Sequence, residues 1–166
     1  PTLAMYENTN EAFARAYWHW FFMIQPPPLP EALIESDSAR YVRGVMGARY
    51  AGLAAFAPEA LAEYERCAAL PGTARSIAED YRASATLDLE HDRADVVAGR
   101  QLPQPLRVLW GQHGAVGRCF DVLALWRERA ALVTGREIEC GHYLAEEAPE
   151  QVLAEAQAFF THSQSD

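Results

Sequence analysis

The chain has 166 residues, 50% of them hydrophobic, and a formal net charge of −9 at neutral pH. That is enough apolar material for one ordinary core, which excludes a disordered chain, and the acidic balance excludes nucleic acid and anionic membrane as partners, because neutralising phosphate needs clustered Arg and Lys. All fourteen basic residues are arginine, and without lysine both Schiff-base chemistry and P-loop phosphate binding drop out.

In chain order, Glu11–Ile24 has helical character and its longest apolar stretch, Tyr17 to Ile24, is far short of the roughly 20 residues a membrane span needs and is interrupted by His19. The segment Gln25-Pro26-Pro27-Pro28-Leu29-Pro30 stops this helix, since proline fixes φ and lacks a donor. Helical patterns resume over Pro30–Glu35, Ser38–Ala51 and Pro58–Leu70, the last with Leu61, Tyr64 and Ala68 on one face and Glu59, Glu63 and Glu65 in water. Two more follow, Pro71–Ala83 and Leu87–Val97, so residues 1–98 read as a helical domain without a strand, whose first residues serve as a linker.

Composition changes at Gly99-Arg100-Gln101-Leu102-Pro103-Gln104-Pro105, where a second domain, 99–166, begins. Leu106–Gly111 is a short apolar run bounded by proline and glycine and reads as a buried parallel strand. Helix Phe120–Leu132, strand Arg136–Cys140 and helix Pro149–His162 complete a βαβα order, which implies a parallel sheet with right-handed crossovers and an α/β fold class. Two parallel strands are too few for a stable sheet covered on both faces, so the pattern predicts partner strands on polypeptide before Pro1.

The chemistry-bearing candidate of the second domain is His142. It follows a strand and Gly141, and precedes Glu146, Glu147 and Pro149, which open the last helix; glycine lets the backbone turn and the imidazole leave the sheet at its carboxyl edge. A histidine in that position can act as a general base, although a Gly-His pair is also an ordinary turn. Cys67, Cys119 and Cys140 are odd in number and widely spaced, fitting neither a disulfide framework nor a zinc site, so a cytoplasmic location is the simplest setting. Cys140 reads as a buried thiol, and His91, within Glu90-His91-Asp92, as part of a solvated face. No cofactor or metal is expected. Asp121 and Glu128 fit the start and polar face of a helix.

Taken together, Ala16-Tyr17-Trp18-His19-Trp20-Phe21-Phe22, the proline segment at Gln25–Pro30, Glu79-Asp80-Tyr81-Arg82-Ala83, Asp88-Leu89-Glu90-His91-Asp92 and Gly141-His142 resemble the haloacetate (fluoroacetate) dehalogenases. Over nearly the whole chain the order is similar to the helical cap and the last two core strands of that α/β-hydrolase family. The resemblance implies hydrolysis of a small 2-haloacid substrate to glycolate through an aspartyl ester, with His142 activating the water that cleaves it. It also implies that the aspartate nucleophile, the orienting acid and the arginines that hold the substrate carboxylate lie on a segment before Pro1, and that the protein is a homodimer. On this reading the 166-residue chain alone is inactive. Trp110-Gly111-Gln112-His113-Gly114, where many α/β hydrolases carry the orienting acid, contains no carboxylate.

By the same resemblance, His19, Trp20 and Tyr81 match the family's halide-binding residues, each donating one N–H or O–H to the departing halide. The competing reading is that the aromatic run merely packs a buried helix. On one regular helix His19 and Trp20 would diverge by about 100°. Near Ala48-Arg49-Tyr50-Ala51-Gly52 the chain departs from the family, which often carries tryptophan where Arg49 stands. Two alternatives stand beside the dehalogenase: another α/β hydrolase, acting on haloalkanes or epoxides, and a non-catalytic helical binding module in which His142 is structural.

Overall fold

The computed structural model describes residues 2–162. It divides into two compact units, Pro1–Gly47 with Ala57–Gln101, and Ala48–Phe56 with Leu102–Asp166.

The first unit is helical. It comprises α1 (Thr2–Glu7), α2 (Glu11–Ala16), α3 (Trp18–Met23), α4 (Leu29–Ser36), α5 (Ser38–Gly47), α6 (Pro58–Ala68), α7 (Thr73–Ala85) and α8 (Leu87–Val97). Helix α1 occupies residues that the sequence assigns to a linker. Asn10 starts α2, its side-chain oxygen accepting from the Phe13 amide at 2.9 Å. The sequence predicts one helix over Glu11–Ile24, but the backbone breaks at Tyr17, with φ −118° and ψ 35°. Burial explains the break. Phe13, Tyr17, His19 and Met23 are all buried, whereas Tyr17 and His19, two residues apart, would sit about 200° apart on one uninterrupted helix.

Prolines 26–28 supply no N–H to the carbonyls that end α3, and a guanidinium substitutes. Arg82 of α7 donates to the Gln25 carbonyl through Nε at 3.0 Å and Nη2 at 2.7 Å, and through Nη1 to Glu31 at 2.7 Å and Glu79 at 2.8 Å. This pins α7 to the turn between α3 and α4. A core cluster of Met23, Ile34 and Ala74, packed by Phe22, Tyr41, Ile77 and Tyr81, fills the space beside it. Helix α6 buries Leu61 as its periodicity predicts, while Tyr64 is left exposed and Glu65, expected in water, is half-buried and paired with Arg43 at 2.6 Å.

In the second unit, β1 (Leu106–Gly111) pairs in parallel with β2 (Val133–Ile138), from Leu106 opposite Val133 to Gly111 opposite Ile138. The first strand lies where the sequence puts it. The second begins at Val133 rather than Arg136 and ends at Ile138 rather than Cys140. Gly135 is part of the ladder, opposite Val108: a Cβ there would lie 2.2 Å from the Val108 carbonyl, so only glycine admits that approach. The single helix expected over Phe120–Leu132 is instead α9 (Ala115–Cys119) and α10 (Val122–Arg127). Phe120 between them is extended, and Asp121 caps α10 by accepting from the Ala124 amide at 3.0 Å. Helices α11 (Leu144–Glu147) and α12 (Pro149–His162) follow β2, and a 3₁₀ turn, Gly52–Ala55, lies in the Ala48–Phe56 segment. Glu155 of α12 pairs with Arg136 of β2 at 2.6 Å and with Arg107 of β1, joining the helix to both strands. Ile138, Cys140 and Ala148, with Leu109 and Leu144 against them, form this unit's core. Among the described residues no helix is long and apolar enough to cross a membrane.

Two glycines give a paired test. A Cβ on Gly111 would sit 1.6 Å from the Gly141 carbonyl oxygen, backbone against backbone, whereas one on Gly44 of α5 would meet nothing within 4 Å. Gly111→Ala is expected to lower the denaturation midpoint sharply and Gly44→Ala to raise stability by about 0.5–1 kcal/mol, from helix propensity alone. Urea unfolding of both variants checks this, and equal behaviour would contradict the packing described.

Candidate active site

The histidine turn is built from its neighbours inward. Gly111 closes β1, and its missing side chain lets the Gly141 carbonyl come against it. The chain leaves β2 with the Cys140 amide donating to the Ile138 carbonyl at 2.7 Å, and the His113 amide donates to the Cys140 carbonyl at 3.0 Å. Gly141 is buried, and a Cβ on it would meet Tyr50 Cβ at 2.7 Å and both Glu147 carboxylate oxygens at 2.9 Å. The vacated space is used by Glu147, which accepts from the Gly141 amide at 2.5 Å and from the Tyr143 amide at 3.0 Å. His142 lies between those two amides, so the backbone on each side of it is held by one carboxylate, in charge-assisted bonds of about 1.5–3 kcal/mol each.

The rest of the surroundings comes from the Ala48–Phe56 segment of the same unit. Phe56 packs on the Tyr143 ring at 5.0 Å, Tyr143 stands edge-on to the His142 ring at 5.0 Å, and Tyr50 stacks on His113 at 4.3 Å. Burial and the Arg49 cation push the His142 pKa below its ordinary value, opposed by Glu147. His142 is nevertheless an exposed residue, so its ring is open to water. The Tyr143 hydroxyl is raised by burial, an effect that Arg49 reduces by its charge and by a hydrogen bond. The imidazole is therefore neutral near pH 7, the form in which it accepts a proton. Cys140 is buried with its thiol pushed up by desolvation, an inert packing group as the sequence suggests.

In the helical unit the three ring donors singled out from sequence come together. The His19 and Tyr81 rings lie 5.9 Å apart at 80°, and Trp20 and Tyr81 lie 6.2 Å apart at 71°. The break at Tyr17 belongs to the helix course that brings both rings to Tyr81. His19 is buried, while Trp20 and Tyr81 are half-buried. Two further phenols stand near them. Burial, and Tyr81 after it, raises the Tyr6 pKa and pushes that of Tyr41 up to about 12. Tyr6 also packs on Trp20 at 5.4 Å. Among the described residues no three His, Cys, Asp or Glu side chains are grouped to hold a metal ion.

Sequence reasoning missed Glu147, Tyr6 and Tyr41 as parts of these surroundings, and treated Arg49 only as a departure. Glu147 stood in plain view after His142, but an acidic residue in a first helical turn reads as an ordinary dipole partner. Nothing in the spacing of Tyr6 and Tyr41 points to Tyr81.

No family model matches the chain. It is 32% identical over 166 residues to a fluoroacetate dehalogenase of Burkholderia sp, covering 99% of this chain and 54% of that protein. A soluble epoxide hydrolase of Corynebacterium sp. (strain C12) is 32% identical over 145 residues, 86% of this chain and 48% of the relative. A crystal structure from Nostoc sp PCC 7120, assigned to the α/β hydrolases, superposes with a TM-score of 0.90 at 48% identity, over 98% of this chain and 55% of that one. The chain thus spans about half the length of the relatives it matches.

The depressed His142 pKa has a direct check. Removing the neighbouring cation in Arg49→Gln is expected to move it upward, toward the ordinary 6.5, because Arg49 disfavours the imidazolium. NMR titration of His142 reads the shift; a downward move or none would remove Arg49 from the electrostatics of the turn.

Proposed function

We propose that this chain, which belongs to the α/β-hydrolase superfamily and is related to a fluoroacetate dehalogenase, contributes the halide-receiving donors and the water-activating base of a hydrolase that removes halide from a small 2-haloacid. The nucleophilic aspartate, the orienting acid and the carboxylate-binding arginines are assigned to polypeptide outside this chain, which covers about half of its relatives' length. The observation that carries the reading is the convergence of the His19, Trp20 and Tyr81 rings, which turns three scattered positions into one cluster of N–H and O–H donors.

In the first step the aspartate carboxylate attacks the halogen-bearing carbon. A C–O bond forms as the C–halogen bond breaks, and the halide leaves with the electron pair. Fluoride asks most of the donors that bind it, being small and strongly hydrated, so preorganised N–H and O–H groups lower this barrier where water is excluded. In the second step His142 takes a proton from water, whose oxygen adds to the ester carbonyl. Collapse of the adduct expels glycolate and restores the aspartate carboxylate, and the imidazolium passes its proton to solvent. Each turnover releases one halide and one proton. The base must be neutral, so the rate of ester hydrolysis falls as pH drops through the His142 pKa, placing the acid limb below 6.5.

His142→Asn is expected to accumulate the ester and stop turnover, since alkylation needs no base while hydrolysis does; intact-mass analysis after chloroacetate treatment of the protein carrying both halves should show the adduct. An unmodified mass would sink the mechanism. Tyr81→Phe should slow defluorination more than dechlorination, by about 1–3 kcal/mol for one charge-assisted bond. Equal losses would remove Tyr81 from the halide site.

A second reading has one observation in its favour. Epoxide opening needs phenol donors at the ring oxygen, and Tyr6 and Tyr41 accompany Tyr81. Diol formation from an epoxide, with no halide release from fluoroacetate or chloroacetate, would replace the first reading by this one.

A further inference from the structure

Among the described residues the buried Tyr6 hydroxyl has no hydrogen-bond partner. Buried hydroxyls in native proteins are almost always bonded, so such an exception calls for a partner that arrives later. Its surroundings narrow the choice. The Tyr6 ring packs on Trp20 at 5.4 Å, and Trp20 in turn lies 6.2 Å from Tyr81, which contacts His19. No carboxylate or carbonyl accepts from this hydroxyl. Ionised phenolate is disfavoured there by burial and by Tyr81, so the group is held as a donor.

We infer that Tyr6 is a further ligand-binding residue of the halide site, its phenolic O–H donating to the same anion that His19, Trp20 and Tyr81 receive. This rests on the halide reading of those three residues. Because α1 and α3 are separate helices joined through the Tyr6–Trp20 contact, the fourth donor approaches from an element that supplies none of the other three. A small anion is the class of ligand that fits: it accepts from several donors at once and needs no complementary donor of its own.

The role makes two expectations that a packing role does not. In Tyr6→Phe, one buried hydroxyl without a partner is deleted and the ring retained, so the halide-free protein should melt at the same temperature or higher. Its affinity for chloride, read as product inhibition and as quenching of tryptophan fluorescence, should fall about tenfold, one charge-assisted bond being worth about that factor. Tyr81→Phe is measured in parallel on the same protein. Weaker chloride binding in both variants supports the inference. Unchanged chloride binding in Tyr6→Phe alone overturns it while the halide site stands. Unchanged binding in both overturns the halide reading and this inference with it. A lower melting temperature with unchanged chloride binding assigns Tyr6 to packing and likewise overturns it.

Discussion

The histidine turn depends on a single carboxylate. Glu147 holds the amides on either side of His142, and everything around it follows from making room for that arrangement. The parallel register sets Gly111 opposite Ile138. The bare Cα of Gly111 admits the Gly141 carbonyl, and the bare Cα of Gly141 admits the Glu147 oxygens. Each step consumes the space that a side chain would have occupied. Two glycines and one carboxylate therefore fix where an imidazole leaves the sheet, and α11, which begins at Leu144 after its N-cap Tyr143, is tied to the strand end through Glu147.

Charge acts on the same turn from two directions. Arg49 and burial favour the neutral imidazole, while Glu147 favours the cation. The balance lies on the neutral side, which suits a proton acceptor. The helical unit has a different character: N–H and O–H groups on aromatic rings, His19 buried and Trp20 and Tyr81 half-buried, with the Tyr41 hydroxyl pushed up to about 12 by burial. Donors of that kind stabilise an anion without introducing a cation that would hold it.

Much of this was legible in the sequence, and the parts that were not share a cause. Strand Leu106–Gly111 and helices Leu87–Val97 and Pro149–His162 have the bounds that their patterns predict, because proline, glycine or a clear periodicity marks each end. The single helix expected over Glu11–Ile24 fails at Tyr17, where burial of rings on several faces outweighs helical continuity. Strand β2 begins at Val133, ahead of the Arg136 that its pattern predicts, because the place of Gly135 is set by the Val108 carbonyl on the neighbouring strand. Residues His19, Trp20, Tyr81 and His142 could be named from a motif string. Glu147 and Tyr6 could not, since an acceptor for backbone amides and a hydroxyl lacking an acceptor are facts about distant neighbours, invisible to spacing.

The Ala48–Phe56 segment lies in sequence between two helices of the first unit yet packs within the second, where Tyr50 covers His113 and Phe56 covers Tyr143. Insertions, deletions or substitutions in this stretch therefore reach the imidazole's electrostatic environment through Arg49. Evolution, or an engineer, can retune the basicity of this imidazole by editing a stretch far upstream of it in the chain.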